Sequence, residues 1–219
     1  AHPLVNLPNE MPTESLMKSL LMFAGLSFIP LSLDAADWNQ YRGPDGNGKS
    51  SESIDAVQFQ SGMQKPIWKV PTTLGFSSFA VSDGTVYTVI TREHEGENRE
   101  TCIALDSETG KELWAAPLSS SDYGHDGGNA GASGNRGGDG PRNTPTVDGN
   151  HVYIYDGRLV LSCLEATDGT VVWRHDVVKE FSGRPIKWYN ATSPLLHDQM
   201  LFVSGGGPNE TFLAFDKDS

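Results

Sequence analysis

The chain has 219 residues, 24 of them Gly and 13 Pro, with 37% hydrophobic and 20% charged residues and a formal net charge of −12. Gly without a period of three excludes collagen, the low charged fraction argues against a long coiled coil, and five Trp, nine Phe and six Tyr give core material that a wholly disordered chain lacks. The acidic balance, with no basic run anywhere, disfavours recognition of nucleic acid through its phosphates.

Residues 1–16 precede Met17 and read as an upstream or non-native extension. Residues 17–36 read as a secretory signal peptide: Lys18 begins it, Leu20 to Leu33 is apolar, and Ala35 and Ala36 suit a cleavage point. The apolar stretch falls short of the roughly 20 residues needed to span a bilayer. No later stretch is long and apolar enough, so the expected product is exported, periplasmic or extracellular, without a membrane span after signal removal. Residues 37–66 read as an N-terminal arm and residues 67–219 as repeated β-structure. Asp45-Gly-Asn-Gly-Lys49 starts like a calcium loop, but Ser50 stands where the sixth-position Gly belongs and Ala56 where the Glu belongs.

The repeat is the main signal. Val81–Tyr87, Val147–Tyr153 and Leu196–Phe202 each carry an apolar residue, a polar turn and an apolar–aromatic pair. Before them lie Ser77–Ala80, Asn143–Thr146 and Thr192–Leu195. After them come apolar strands at Thr101–Leu105 and Leu159–Leu164, each running into an acidic residue, a Gly and a Trp at fixed spacing. The first set is Asp106, Gly110 and Trp114; the second is Glu165, Gly169 and Trp173. A strand, a turn closed by a Gly free to take positive φ, and a returning strand make a β-hairpin. Each unit therefore reads as four short antiparallel strands. Trp68, Trp114 and Trp173 are 46 and 59 residues apart, the longer interval holding a Gly-rich insert. No helical periodicity competes after residue 36. The expected fold is all-β, a β-propeller of four-stranded antiparallel blades, with about two and a half to three blades present. The third copy, Thr211–Asp216, ends before its turn Gly and its Trp. The chain thus reads as a fragment of a longer protein with Gly next and Trp near position 224. Cys102 and Cys163 fall on equivalent strands of neighbouring units, and the expectation is buried free thiols rather than a disulfide.

Ala104-Leu-Asp106-Ser-Glu-Thr-Gly110-Lys-Glu-Leu-Trp114 resembles the tryptophan-docking motif of the pyrroloquinoline quinone (PQQ) propellers, Ala-x-Asp-x-x-x-Gly-x-x-x-Trp. The resemblance implies that Trp114 and Trp173 wedge between adjacent blades. Cys163-Leu-Glu165 departs from the motif at its Ala and Asp positions, and Ala214-Phe-Asp216 restores it. Asp37–Gly48, Gly140–Thr146 and Ser193–Leu196 resemble a secreted, planctomycete-type bacterial group of these propellers. Its members are labelled by likeness to the outer-membrane assembly lipoprotein BamB or to quinoprotein alcohol dehydrogenases.

The resemblance leaves three functions open. One is a noncatalytic binding or scaffold module with a protein or glycan partner. The second is the N-terminal part of a PQQ-dependent dehydrogenase with PQQ and Ca²⁺. Such enzymes carry an adjacent Cys-Cys ring and a Glu and Asn on the ion, none of which matches a position here. The third is a BamB-like assembly factor, weakened by the lack of a lipidation Cys. No catalytic residue or metal ligand is expected. Ligand-loop candidates in the insert are Asp126, Arg136, Asp139 and Arg142, against a plain flexible connector; Arg142 is preferred because Pro141 and the following strand fix it. Trp188 and Asn190 are candidates for stacking on a ligand, against packing between blades. Glu93–Glu100 reads as a charged, solvated hairpin tip.

Overall fold

The computed structural model describes residues 36–53, 65–123, 140–186, 189–209 and 211–219. The first sheet runs β1 (Ala80–Ser82), β2 (Thr85–His94), β3 (Glu97–Asp106), β4 (Glu112–Ser120). The second runs β5 (Thr146–Asp148), β6 (His151–Tyr155), β7 (Val160–Glu165), β8 (Val171–Asp176). A third sheet has β9 (Leu195–His197), β10 (Met200–Ser204) and β11 (Phe212–Asp216). In every sheet the strands lie in chain order and pair antiparallel, so each is a meander. This is the propeller-blade architecture expected from the repeat.

Alternation along the strands explains how the sheets stack. In β2, Val86 and Ile90 join Ile103, Leu105 and Trp68 on one face, while Tyr87 and Val89 point to the other. There they meet Cys102, Ala104, Trp114 and Leu118, together with Val147, Val152, Ile154 and Leu164 of the second sheet. The opposite face of the second sheet buries Tyr153, Tyr155, Leu161 and Cys163 against Leu201, Val203 and Phe215 of the third. A strand with period two serves two cores at once when both faces are covered. The two cysteines are free and buried, and they lie in different cores.

β1 packs beside β5, which places the first strand of each blade on the side the blades share. Trp38 forms a bridge with Val81 of β1, and the Val147 amide donates to Asn39 O at 2.7 Å. Residues 38 and 39 thus tie the first two blades together at their leading strands.

Three local features differ from the sequence expectation. The hairpin β2–β3 extends ten residues each side of the turn Glu95-Gly96, well beyond Thr101. Leu159 has φ +64 and belongs to the turn before β7. A five-residue helix, α1 (Val177–Phe181), follows β8. Asp176 caps it, accepting from Lys179 N at 3.1 Å, while Glu180 accepts from Asp176 N at 2.7 Å. One turn held by its cap is too short to leave a helical period. No helix among the described residues is long and apolar enough to cross a membrane.

Candidate functional site

The ten-residue ladder of β2 and β3 sets Glu100 opposite Thr91, inside the protein rather than at a solvated tip. Its carboxylate is fully buried. Tyr123 Oη donates to Oε1 at 2.7 Å and Gly157 N to the same oxygen at 3.0 Å, while Asn143 Nδ2 donates to Oε2 at 3.3 Å. Three separate segments therefore converge on one side chain: the chain leaving β4, the chain entering β5, and the β6–β7 turn of the next blade. Burial, added to by the negative charge of Asp156, pushes the Glu100 carboxyl up to about 7. Asp156 is equally buried, accepts from Arg158 N and Val160 N, and burial pushes it upward too. Burial and the adjacent Glu100 push the Tyr123 hydroxyl far up, so it stays a donor.

The Glu100 network fixes the segment Pro141–Asn143 against the first blade, where Phe76 N donates to Pro141 O at 2.7 Å. Arg142 lies over the rings of Phe76 and Tyr123, 5.5 and 5.7 Å from their centroids. A cleft of about 490 Å³ opens here, among the segments that enter β1, β5 and β9. Gln40, Tyr41, Phe76, Arg142, Thr144 and Thr192 contribute to its wall. Phe76 and Tyr41 are about half exposed.

Of the sequence candidates, Asp126, Arg136, Asp139 and Trp188 lie outside the described residues. Arg142 lines the cleft. Asn190 is buried, and its amide is spent on the backbone: Nδ2 donates to Tyr155 O, Asp156 O and Thr192 O, and Oδ1 accepts from Thr192 N. It shapes the loop rather than offering a hand to a ligand.

The docking residues fall at the opposite ends of the strands. Ala104 is buried directly across from Trp114. Trp114 Nε1 donates to Ala166 O at 2.8 Å, and its ring lies so close to Gly169 that a Cβ there would sit 2.6 Å from it. Trp68 makes the same contact one blade earlier, donating to Ser107 O and lying over Gly110. Both glycines have φ near +70 (71° and 75°), so close approach and backbone conformation each require Gly. Asp106 accepts from Thr109 N and Oγ1, bonds that hold its carboxyl below the usual range and close the turn. Glu165, one methylene longer, turns toward His151, and Asp168 closes the second turn by accepting from Thr170 N. Trp173 sits across from Cys163 and 6.0 Å from the Tyr153 ring, and its Nε1 has no partner among the described residues.

The residues missed by sequence reasoning are Glu100, Tyr123, Asp156 and Arg158. Nothing between Gly96 and Thr101 breaks a strand, but only the pairing of β3 with β2 shows that the ladder carries Glu100 inward.

A PQQ–calcium pair does not fit the Arg142 cleft. The cleft offers one cation and no carboxylate, whereas calcium asks for six to eight oxygen ligands, carboxylates among them. Among the described residues no three His, Cys, Asp or Glu side chains gather to hold a metal ion.

A family model described as outer membrane protein assembly factor BamB matches residues 98–219. The chain belongs to that family. Among solved structures, the BamB-family chain is similar to the quinohemoprotein alcohol dehydrogenase of Comamonas testosteroni, with TM-score 0.63 and 17% identity over 83% of this chain and 26% of that one. It is also similar to the quinohemoprotein alcohol dehydrogenase ADHIIG of Pseudomonas putida HK5, with TM-score 0.50 and 18% identity over 69% and 20% of the two chains. BamB of Moraxella catarrhalis aligns at TM-score 0.41 and 17% identity over 65% and 33%. The chain thus spans about a quarter of the first of these structures, and the likeness is one of fold. No curated protein matches the sequence.

Proposed function

We propose that this chain is part of an exported β-propeller that works as a noncatalytic binding or scaffold module, receiving an extended segment of a protein partner in the Arg142 cleft. The cleft wall carries the reading: exposed aromatic faces at Tyr41 and Phe76, the exposed Ser78, and one guanidinium, with no carboxylate, His or Cys among the described lining residues to serve as base or nucleophile. Rigid aromatic faces beside an adaptable hydroxyl suit recognition more than proton transfer. The buried Glu100 network supports it by holding residues 141–143 in place before any partner arrives. Export rests on the leader-like residues 17–36, and membership of a secreted bacterial group on the resemblance of 37–48. The family's description as an outer membrane protein assembly factor supports an outer membrane protein as the partner class.

The test titrates the full chain with strand-forming peptides from an outer membrane protein. Saturable binding is expected, weakened about tenfold or more by Tyr41→Ala or Arg142→Ala. Tyr41 sits on the arm, so its loss leaves the blades intact. Failure of every peptide, or preference for an oligosaccharide, overturns the protein-partner reading. Dye-linked alcohol oxidation after addition of PQQ and Ca²⁺ overturns the noncatalytic one.

A further inference from the structure

A second cleft, of about 510 Å³, lies between the last strand of the first blade and the second blade, and it shares no lining residue with the Arg142 cleft. On one side stand Leu118, Ser119 and Ser120 of β4; on the other stand Val160 and Ser162 of β7 and Arg174 of β8, with Tyr189 closing one end. Its charge is opposite to that of the chain as a whole. Arg99, Arg158, Arg174 and Lys179 line it against only Asp156 and Asp176, in a protein of net charge −12. Asp156 is buried and already accepts from Arg158 N and Val160 N.

The cations are held in place by bonds that leave donors to spare. Arg158 Nε donates to Ser120 O at 3.0 Å, its second nitrogen donates to Asp122 O, and its guanidinium lies 5.2 Å from the Tyr189 ring centroid. Arg174 gives one of its five N–H groups to Pro117 O. Arg99 donates to Leu118 O and to Glu97, but its Nε is buried without a partner among the described residues. Ser162 is 1% exposed and its hydroxyl is also without a partner among the described residues. Two orphaned buried donors lining one cation-rich cleft point to a polar occupant, since a buried donor left unmade keeps its full desolvation penalty. The volume lies in the small-molecule range, and fixed guanidinium forks match carboxylates in pairs. Leu118 and Val160 add apolar wall, which inorganic ions do not need.

We propose that this inter-blade cleft binds a small organic anion bearing carboxylate groups. Arg158 and Arg174 grip the carboxylates, Ser162 and Arg99 Nε complete their hydrogen bonds, and the occupant bridges the two blades.

Calorimetric titration of the full chain with citrate, with inorganic phosphate and sucrose as comparison probes, tests this near physiological salt. Saturable one-to-one citrate binding is expected, with phosphate weaker and sucrose silent. Arg174→Gln, on an exposed side chain, and Arg158→Gln should each weaken citrate about tenfold or more. Ser162→Ala should keep or raise the melting temperature without citrate, because it removes an orphan, and should still lower citrate affinity. No saturable heat up to about 10 mM citrate overturns the proposal. So does citrate binding that both Arg variants and Ser162→Ala leave unchanged, and so does phosphate binding as tightly as citrate.

Discussion

Glu100 concentrates more of the first blade's polar bonding than any residue the motifs suggested, and its pH behaviour follows from its burial. Its folded carboxyl titrates near 7, above the ordinary value of 4.5. The folded chain therefore binds an extra proton between those values, and this contribution is full at low pH and lost as pH rises to about 7. Glu100→Gln removes it. The Gln oxygen can accept from Tyr123 and Gly157, and its amide can donate to Asn143 Oδ1, which has no partner among the described residues, once the Asn143 amide turns over. Urea midpoints of the variant and the natural chain should move in the variant's favour between pH 5 and pH 8. A constant difference across that range would refute an ionising Glu100. The thiols give a second check at this scale. Burial pushes Cys163 up to about 12 and Cys102 higher still, so both should resist alkylation until the chain unfolds and then react together. Counting labelled thiols along a urea series reads this directly.

At the scale of the hairpin, tryptophan and glycine act as one unit across a blade boundary. Gly169→Ala adds a Cβ 2.6 Å from the Trp114 ring and imposes positive φ on a side chain. A loss of roughly 2–4 kcal/mol is expected. Trp114→Ala should cost about 3–5 kcal/mol. Combined, the two should cost clearly less than their sum, because the clash disappears with the ring; additive losses in a double-mutant cycle would show the contact to be incidental. The hairpins themselves were legible in the sequence, because acidic residue, Gly and Trp recur at fixed spacing and each has one physical task. Glu100 was not legible as a core residue. Its neighbours Glu97, Asn98 and Arg99 are polar, and only the pairing with β2 reveals that the ladder continues past them. The helix α1 was hidden for the opposite reason: its information lies in the Asp176 cap, a contact of three residues without a period. Asp176→Ala should cost about 1 kcal/mol, read from the chemical denaturation midpoint.

For the whole molecule, each sheet covers the next, and the third leaves Phe202, Phe212 and Leu195 exposed. Among the described residues β11 pairs with β10 alone. Unpaired edges beside exposed aromatics invite pairing between copies. The 219-residue chain should associate with rising concentration in sedimentation, and Phe212→Lys should suppress it; a monomer at all concentrations would count against an open edge. The stacking was readable from the repeat, but the two clefts were not. Both arise where segments from different blades meet, and no local stretch of sequence contains both walls.

The hand-off of Trp68 and Trp114 to the turns that follow also has a direction in time. The Trp114 ring finds its acceptor at Ala166, 52 residues downstream, and the Trp68 ring finds its own 39 residues downstream. On the ribosome a blade cannot seat its closing side chain until most of its successor has left the exit tunnel. At about 5–20 residues per second that is a wait of seconds, during which a newly made indole stands open to chaperones.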